Sequence, residues 1–506
     1  MRERRLSFFS ETCFYRVKFE CVMIAEAIFH WAKQCPDKPA IVHGGRAVSY
    51  GEFRLLISLA RDFFVRRNCV GDGYAIIATG NLLEFWISSL ALRSLGLTTV
   101  QVPGPTALDE IVVEGRRVVV SFAGSTWPSL ASRCEQRGLE LVQVVLAGGE
   151  ALDLDQGPST SGAGGHLLRT SGTTGDYKLV LMTAKADAVF LRRKTEVIGM
   201  NHETVLCAFD FPAWTAAGYR WAASPWTVGG TVVLEQRRDI HLALGQPGLT
   251  HAVMVPSTLA SVLSAAEGSF PYNDQLRLTV GGGAMTDKQV EQVKARITPR
   301  LFNLLASTEG GVIAHTPIRD IGDMRSHSLV ADRLVEIVDE HDAPAPQGTT
   351  GRVRVGVRGL VDAYINNAPA TIECFRDGFF YPGDMAFIKP DGRLVLQGRV
   401  SDLLNVGGFK VSPLSLEEPL MNYLGVAVCV LSMFSDCGEE ELHVVLESNH
   451  AFDQAKIASM LRGTGKFFSR VKVHFLRPLA RNEMGKILRH EVRRQILSSE
   501  GRDKTV

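Results

Sequence analysis

The stretch RTSGTTGDYKLVLMTAK, Arg169 to Lys185, crowds serine, threonine and glycine into seven positions and then turns abruptly apolar. Glycines let a backbone bend tightly and present successive N–H groups, hydroxyls add donors, and a lysine contributes a point charge. Thr170, Ser171, Gly172, Thr173, Thr174, Gly175 and Lys178 are therefore the parts of a phosphate cradle. The spacing Gly172-x-x-Gly175-x-x-Lys178 is not that of a Walker A loop, which needs GxxxxGK followed by serine or threonine.

Working outward, the flanking segments set this loop in an α/β frame. A helix near Ala25–Lys33 leads to the strand PAIVHG and the helix YGEFRLLISLARDFF. The buried strand YAIIATG, the helix LLEFWISSLALRSLG and the strand LTTVQV follow, then a helix over ALDEIVVEG, the strand RVVVSF and the apolar run LELVQVVLAG. Strands alternating with helices predict a layered α/β domain with a largely parallel sheet. Leu152–Gly165, polar and glycine-rich, reads as a surface loop leading into the cradle. Beyond it, TVVLEQ, HAVMVPS and LRLTVGGG repeat the strand-then-turn signature.

Around GTTGRVRVGVRG the texture changes to short alternating runs with closely spaced turns, which predicts a β-rich, antiparallel subdomain over about 330–398. The remainder reads as a compact α+β piece with AVCVLSM, EELHVVLES, the helix DQAKIASMLRG and the strand RVKVHFL. The expected organisation is an N-terminal extension over 1–22, a large domain over 23–398, a hinge at 399–402 containing Ser401 and Asp402, and a small mobile domain over 403–506. A cleft is expected between the two domains.

The chain has 506 residues, beyond the size at which one core keeps growing, and 45% of them are hydrophobic. With 55 basic against 54 acidic side chains, the formal charge is +1, and no basic stripe or acidic tail points to nucleic acid. Nine scattered cysteines form no CxxC pair, which suits a reducing, cytoplasmic setting. The basic, partly apolar N-terminus is interrupted by Glu11, Arg16, Lys18 and Glu20, so neither a signal-peptide core nor a membrane span is expected there.

Further candidates stand in chain order. VGGGAM, with Gly281, Gly282 and Gly283, is a glycine turn after a strand, able to bring backbone against a flat ring. NLLASTEGG puts Thr308 and Glu309 at a strand end, where α/β sites lie. YPGDMAFIKPDGRLVLQGR supplies Asp384 and Arg399, and RNEMGKILR sets Lys486 beside a glycine turn.

Together and in this order, these pieces resemble the adenylate-forming superfamily of acyl-CoA synthetases, adenylation domains and luciferases, from about Met23 to Arg494. RTSGTTGDYK resembles the family's TSGTTGxPK phosphate loop, STEGG the end of its Y-G-x-T-E motif, and YPGD its T-G-D motif. GRVSDLLNVGGFKVSP resembles the hinge motif, NEMGKILR the catalytic-lysine motif, and AYINN echoes GYWN. The resemblance implies ATP and Mg²⁺ as cofactors. Thr170 to Lys178 would hold the phosphates, Glu309 would ligate the metal with Thr308 beside it, and Asp384 and Arg399 would hold the ribose. Lys486 would act where carboxylate and α-phosphate meet. A swing about the hinge would then replace the Lys486 face by the Gly407–Lys410 loop, opening a tunnel for a thiol.

The motifs also depart from the family pattern. Leu305 and Ala306 stand where an adenine-stacking aromatic and a glycine are usual, Tyr177 where the loop has proline, Pro382 for the threonine of T-G-D, Ser401 at the hinge and Asn405 for a frequent lysine. The acyl pocket is expected from CAFDFPAWTAAGYRWAASPW, with Trp214 either narrowing it toward a small, flat or medium acid or serving as ordinary core, and from Gly281. Asp210 admits a rival reading, amino-acid activation, in which its carboxylate binds an α-amine. The acceptor is coenzyme A or the phosphopantetheine of a carrier protein. A nucleotide-binding relic without activity is the remaining alternative.

Overall fold

The computed structural model describes residues 23–43, 45–146, 149–158, 162–171, 177–208, 211–234, 243–406, 409–434, 440–462, 470–482 and 485–499. The mixed α/β architecture expected from the sequence is present, built on two sheets with parallel interiors that share one layer of helices. The larger has eight strands, in the order Gly311–Pro317, Leu301–Ser307, Arg277–Gly281, His251–Met254, Val205–Ala208, Thr231–Val233, Pro39–His43, Arg46–Ser49. Its six inner strands run parallel and the two edge strands antiparallel. The second has six, in the order Glu140–Val144, Arg117–Phe122, Tyr74–Ile77, Thr98–Gln101, His166–Ser171, Tyr177–Met182, parallel except for the last hairpin.

One apolar core joins the two sheets. It contains Ile28 of the helix Ile24–Gln34, Phe53 and Phe64 of Tyr50–Arg66, Trp86 of Leu82–Ser94, Phe190 of Ala184–Ile198 and Trp226 of Ala216–Thr227. Ile41 and Val232 of one sheet and Ile77 and Val118 of the other close it. The helices start where short polar side chains can satisfy their first N–H groups. Ser49, Asn81, Thr183 and Thr215 each accept from the first turn, and Gly199 at φ +76° ends Ala184–Ile198 in the left-handed region. Leu82–Ser94 is apolar on nearly every side and is correspondingly buried.

Two local expectations change. ALDEIVVEG forms only a 3₁₀ turn, Pro105–Glu110, because Ile111 and Val113 are drawn into the apolar cluster beneath the six-stranded sheet. The strand end expected at Thr308 and Glu309 falls at Ser307, so the hairpin turn begins at Thr308. The β-rich element is an antiparallel sheet of Val335–Val338, Gly351–Gly356, Phe375–Arg376, Phe379–Phe380, Asp384–Ile388 and Leu394–Arg399. After it come a hairpin, Leu404–Val406 with Phe409–Val411, and a three-stranded sheet of Val428–Phe434, Glu440–Glu447 and Val471–Leu476 with its own apolar core. Among the described residues no helix is long and apolar enough to cross a membrane.

Candidate active site

A cavity of about 560 Å³ opens where the strand ends of the large sheet, the hairpin of the second sheet, the antiparallel sheet and the C-terminal segment converge. Antiparallel pairing sets Thr170 opposite Lys178, and both line it. Between them, residues 172–176, which include Gly172, Thr173, Thr174 and Gly175, lie outside the described residues, as does the side chain of Ser171. Arg169, also in the wall, stacks its guanidinium 4.1 Å from the Tyr177 ring centroid and pairs with Glu110.

Thr308 and Glu309 occupy the turn between the strands Leu301–Ser307 and Gly311–Pro317. Gly311 has φ +68°, and a Cβ there would stand 2.5 Å from the Phe190 ring, so glycine alone fits this turn. Glu309 is buried, and burial pushes its carboxyl above the usual carboxylate range. Four influences oppose that shift: the Tyr364 hydroxyl, donating to Glu309 Oε1 at 2.7 Å, a hydrogen bond from the backbone of Glu309 itself, and the charges of Lys178 and Arg220. The Lys178 ammonium sits 4.8 Å from the Tyr364 ring centroid. Arg220, buried on the helix Ala216–Thr227, donates to the carbonyls of Thr308 at 2.9 Å and Ser307 at 3.4 Å, which fastens the turn from below.

Asp384 and Arg399 face each other at paired strand ends, with Nε 3.1 Å from Oδ1. Burial raises the Asp384 carboxyl, while Arg399 and then Lys486 draw it back down. Lys486 and Asn482 reach the same cavity from the C-terminal segment, and Ser401 joins them there. The turn carrying Lys486 is pressed close to the large domain, since a Cβ on Gly485, at φ +72°, would lie 2.5 Å from Ser257 Oγ. Burial lowers the Lys486 ammonium, as does Arg399; Asp402 and Asp384 counter them. Asp402 accepts from Ser401 Oγ at 3.0 Å and stands 3.7 Å from Arg489.

Not every sequence candidate meets the others. Gly281 and Gly282 line the cavity, whereas Gly283 turns toward Pro256. Leu305 packs against the apolar core of the antiparallel sheet, and its neighbours Leu304 and Ala306 form the wall instead, because successive strand residues point to opposite faces. Trp214 does not line the cavity; its carbonyl accepts from Arg169 N at 2.9 Å, and the adjacent Thr215 takes the wall position. Lys410 is exposed and away from the cavity. Asp210 lies outside the described residues. Phe211, Arg220 and Trp221 lie in the run expected to form the acyl pocket but carry no individual role in the sequence reading, and Tyr364 and Lys194 carry none at all, yet all five line the cavity. An arginine set in the otherwise apolar AAGYRWAASPW, and a tyrosine in AYINN, were the available signals.

Residues 166–365 match the family model described as AMP-binding enzyme. The chain is similar to enterobactin synthase component E of Escherichia coli K12, with 23% identity over 91% of this chain and 92% of that protein. It is also similar to a salicylyl-CoA synthase / salicylate adenylyltransferase of Streptomyces, with 30% identity over 58% of this chain and 55% of that one. Its fold resembles the crystal structure of the anthranilate CoA ligase AuaEII in complex with anthranoyl-AMP. The TM-score is 0.81, with 18% identity, covering 95% of this chain and 98% of that one.

Proposed function

The chain belongs to the adenylate-forming, AMP-binding enzyme family, and from that premise we propose that it is an acid–thiol ligase: it joins a small or medium, flat carboxylic acid to AMP and passes the acyl group to the thiol of coenzyme A. The observation that carries this reading is the convergence of Lys178, Glu309 and Lys486, from remote parts of the chain, on one cavity, with the Asp384–Arg399 pair beside it.

An acid carboxylate attacking the α-phosphorus of ATP meets like charge, so cations must neutralise the approach. Lys486 supplies one at the C-terminal wall, and Lys178 another beside the phosphate loop. The attack forms the acyl–phosphate bond and breaks the bond between the α- and β-phosphates, releasing pyrophosphate. A thiol then attacks the acyl carbon, and AMP leaves. Asp384, held by Arg399, is suited to accept from ribose hydroxyls, and Gly281, Gly282 and Ala306 leave room for a flat base.

The donor set also fits Mg²⁺. No group of three or more acidic, histidine or cysteine side chains capable of holding a metal occurs among the described residues. Glu309, with Oε1 committed to Tyr364, faces the cavity beside Thr308. One carboxylate completed by nucleotide phosphates is a usual magnesium arrangement. When bound, the ion would supply charge neutralisation to the phosphates.

Phe211, Trp221, Val253 and Val255 give the cavity an aromatic and apolar wall, which, with the similarity to proteins named for salicylate and anthranilate, supports an aromatic or similarly flat acid. The similarity to a component of a synthase favours, as a second reading, the phosphopantetheine thiol of a carrier protein. Pyrophosphate release is measured over a panel of carboxylates, amino acids included, with coenzyme A, with a pantetheinylated carrier, and with neither. Acid-dependent release with a thioester on coenzyme A is expected. Thioester only on the carrier replaces the acceptor, and no release with any acid overturns the activity.

A further inference from the structure

The wall of the cavity holds a buried lysine that the reaction above does not use. Lys194 lies on the helix Ala184–Ile198, one turn beyond Phe190, and both line the cavity. It is buried, with 5% of its surface accessible, and its Nζ sits 3.4 Å from the centroid of the Trp221 ring. Around it the cavity meets the apolar cluster of Ile198, Met200, Leu206, Trp221 and Val253. Among the described residues no hydrogen bond or ion pair reaches its ammonium, whereas the neighbouring Arg220 is committed to the carbonyls of Ser307 and Thr308 and to Phe190 at 4.3 Å.

Buried ammonium groups without an acceptor are rare because desolvation disfavours the charge, and the face of a tryptophan recovers only part of that loss. Burial, reinforced by Arg220, pushes the Lys194 ammonium well below the usual lysine range. Trp221 blocks one side of the group, so an acceptor has to come from within the cavity. Lys486, Asn482 and Ser401 belong to a different wall, contributed by the C-terminal segment and the hinge. The carboxylate to be activated is thus accounted for elsewhere.

We infer that Lys194 is a specificity-determining residue that receives a second acceptor group on the substrate, so that the acid activated carries, away from its reacting carboxylate, a further carboxylate or an oxygen substituent on its ring. This rests on the acid-activating function proposed above and narrows it to a substrate class. The same Nζ serves either acceptor, and a carboxylate gains more from it because the contact is then charge-assisted.

The test uses the full chain, ATP and Mg²⁺, and acids in matched sets: benzoate, a hydroxybenzoate and a benzenedicarboxylate, and likewise a straight-chain monoacid with its diacid. Acid-dependent exchange of pyrophosphate into ATP is followed in the wild type, Lys194→Met and Lys194→Arg. The wild type should prefer at least one acceptor-bearing acid over its unsubstituted parent by tenfold or more in kcat/KM. Lys194→Met should erase that preference mainly through KM, since the contact is remote from the reacting atoms, and Lys194→Arg should restore part of it. Preference for the dicarboxylates identifies a second carboxylate; preference for the hydroxy acids, a ring oxygen. Asp210→Asn runs alongside. A wild type indifferent to the acceptor, as it would be if Asp210 already neutralised Lys194, overturns the inference even if Lys194→Met does not fold. An unchanged preference in a folded Lys194→Met does the same. Exchange with the unsubstituted acids leaves acid activation standing in both cases, whereas silence with every acid overturns both readings.

Discussion

The phenol of Tyr364 donates to Oε1 of Glu309 at 2.7 Å across 55 residues of chain, and the Lys178 ammonium lies over the same ring, 4.8 Å from its centroid. Tyr364 thus ties a carboxylate in a hairpin turn to a lysine on another sheet. A hydrogen bond to the ionised form favours that form, and here it opposes the burial that raises Glu309. Tyr364→Phe should therefore push the Glu309 carboxyl higher and move the acid limb of the activity profile to higher pH. Hydrogen bonds to charged groups contribute about 1.5–3 kcal/mol, so a loss of roughly tenfold to a hundredfold in kcat/KM near neutral pH is expected, with a higher Mg²⁺ requirement. An unshifted acid limb and an unchanged magnesium half-saturation would show that the bond does not tune Glu309.

Lys486→Ala should lower acid-dependent pyrophosphate exchange by about a hundredfold or more, the effect of about 3 kcal/mol lost at developing charge. The sharper test is Asp402→Asn. Asp402 is the leading influence that raises Lys486 against burial and Arg399. Its loss should lower the lysine further, so that the alkaline limb of the exchange profile moves to lower pH while the acid limb stays. Movement in the opposite direction would contradict the proposed coupling.

Much of this site was legible because its chemistry is written in short runs. The Thr170–Lys178 turn, the Thr308–Glu309 strand end and the Asp384 and Arg399 positions each follow a local pattern of glycine, charge and alternation. What was not legible depends on which face of an element looks inward. Leu305 and Trp214 each miss the cavity by one residue, since a strand reverses its side chains at every step and Thr215, as the helix N-cap, turns the chain just after Trp214. Tyr364 sits in the legible run AYINN, but its role is not local, because its partner Glu309 is set by packing between separate sheets. The shared helical layer was equally hidden. It needs Ile41 to pair with Val232, a contact that no local pattern announces.

Gly485→Ala tests whether the turn bearing Lys486 must dock closely on the large domain. The methyl would stand 2.5 Å from Ser257 Oγ and 3.1 Å from Val255 Cγ2, at a φ of +72° that side chains rarely adopt. Pyrophosphate exchange should fall roughly tenfold or more, about 1–2 kcal/mol of strain, with little change in melting temperature. Ser257→Gly in the same chain should return part of the activity by clearing the nearest atom. Full activity in Gly485→Ala would mean that this docking is not needed for the reaction.

His327 is buried, and burial alone lowers its imidazole to about 4. Its backbone exchanges hydrogen bonds of 2.7 and 2.9 Å with Leu394 of the antiparallel sheet, while its Nδ1 has no partner among the described residues. A histidine held below its unfolded value is neutral in the fold. Its contribution is complete above pH ~6.5 and declines as pH falls toward about 4, because the unfolded chain takes up the proton first. At pH 5 the linkage amounts to about 2 kcal/mol. His251 and His315, also lowered to about 4 by burial, act in the same window. His327→Gln, which cannot charge, should therefore lose less stability than the wild type between pH 7 and pH 5, even if it is less stable at pH 7. Denaturant or thermal unfolding at both pH values measures the difference. Equal losses in the two proteins would show that the His327 imidazole is not kept neutral by the fold.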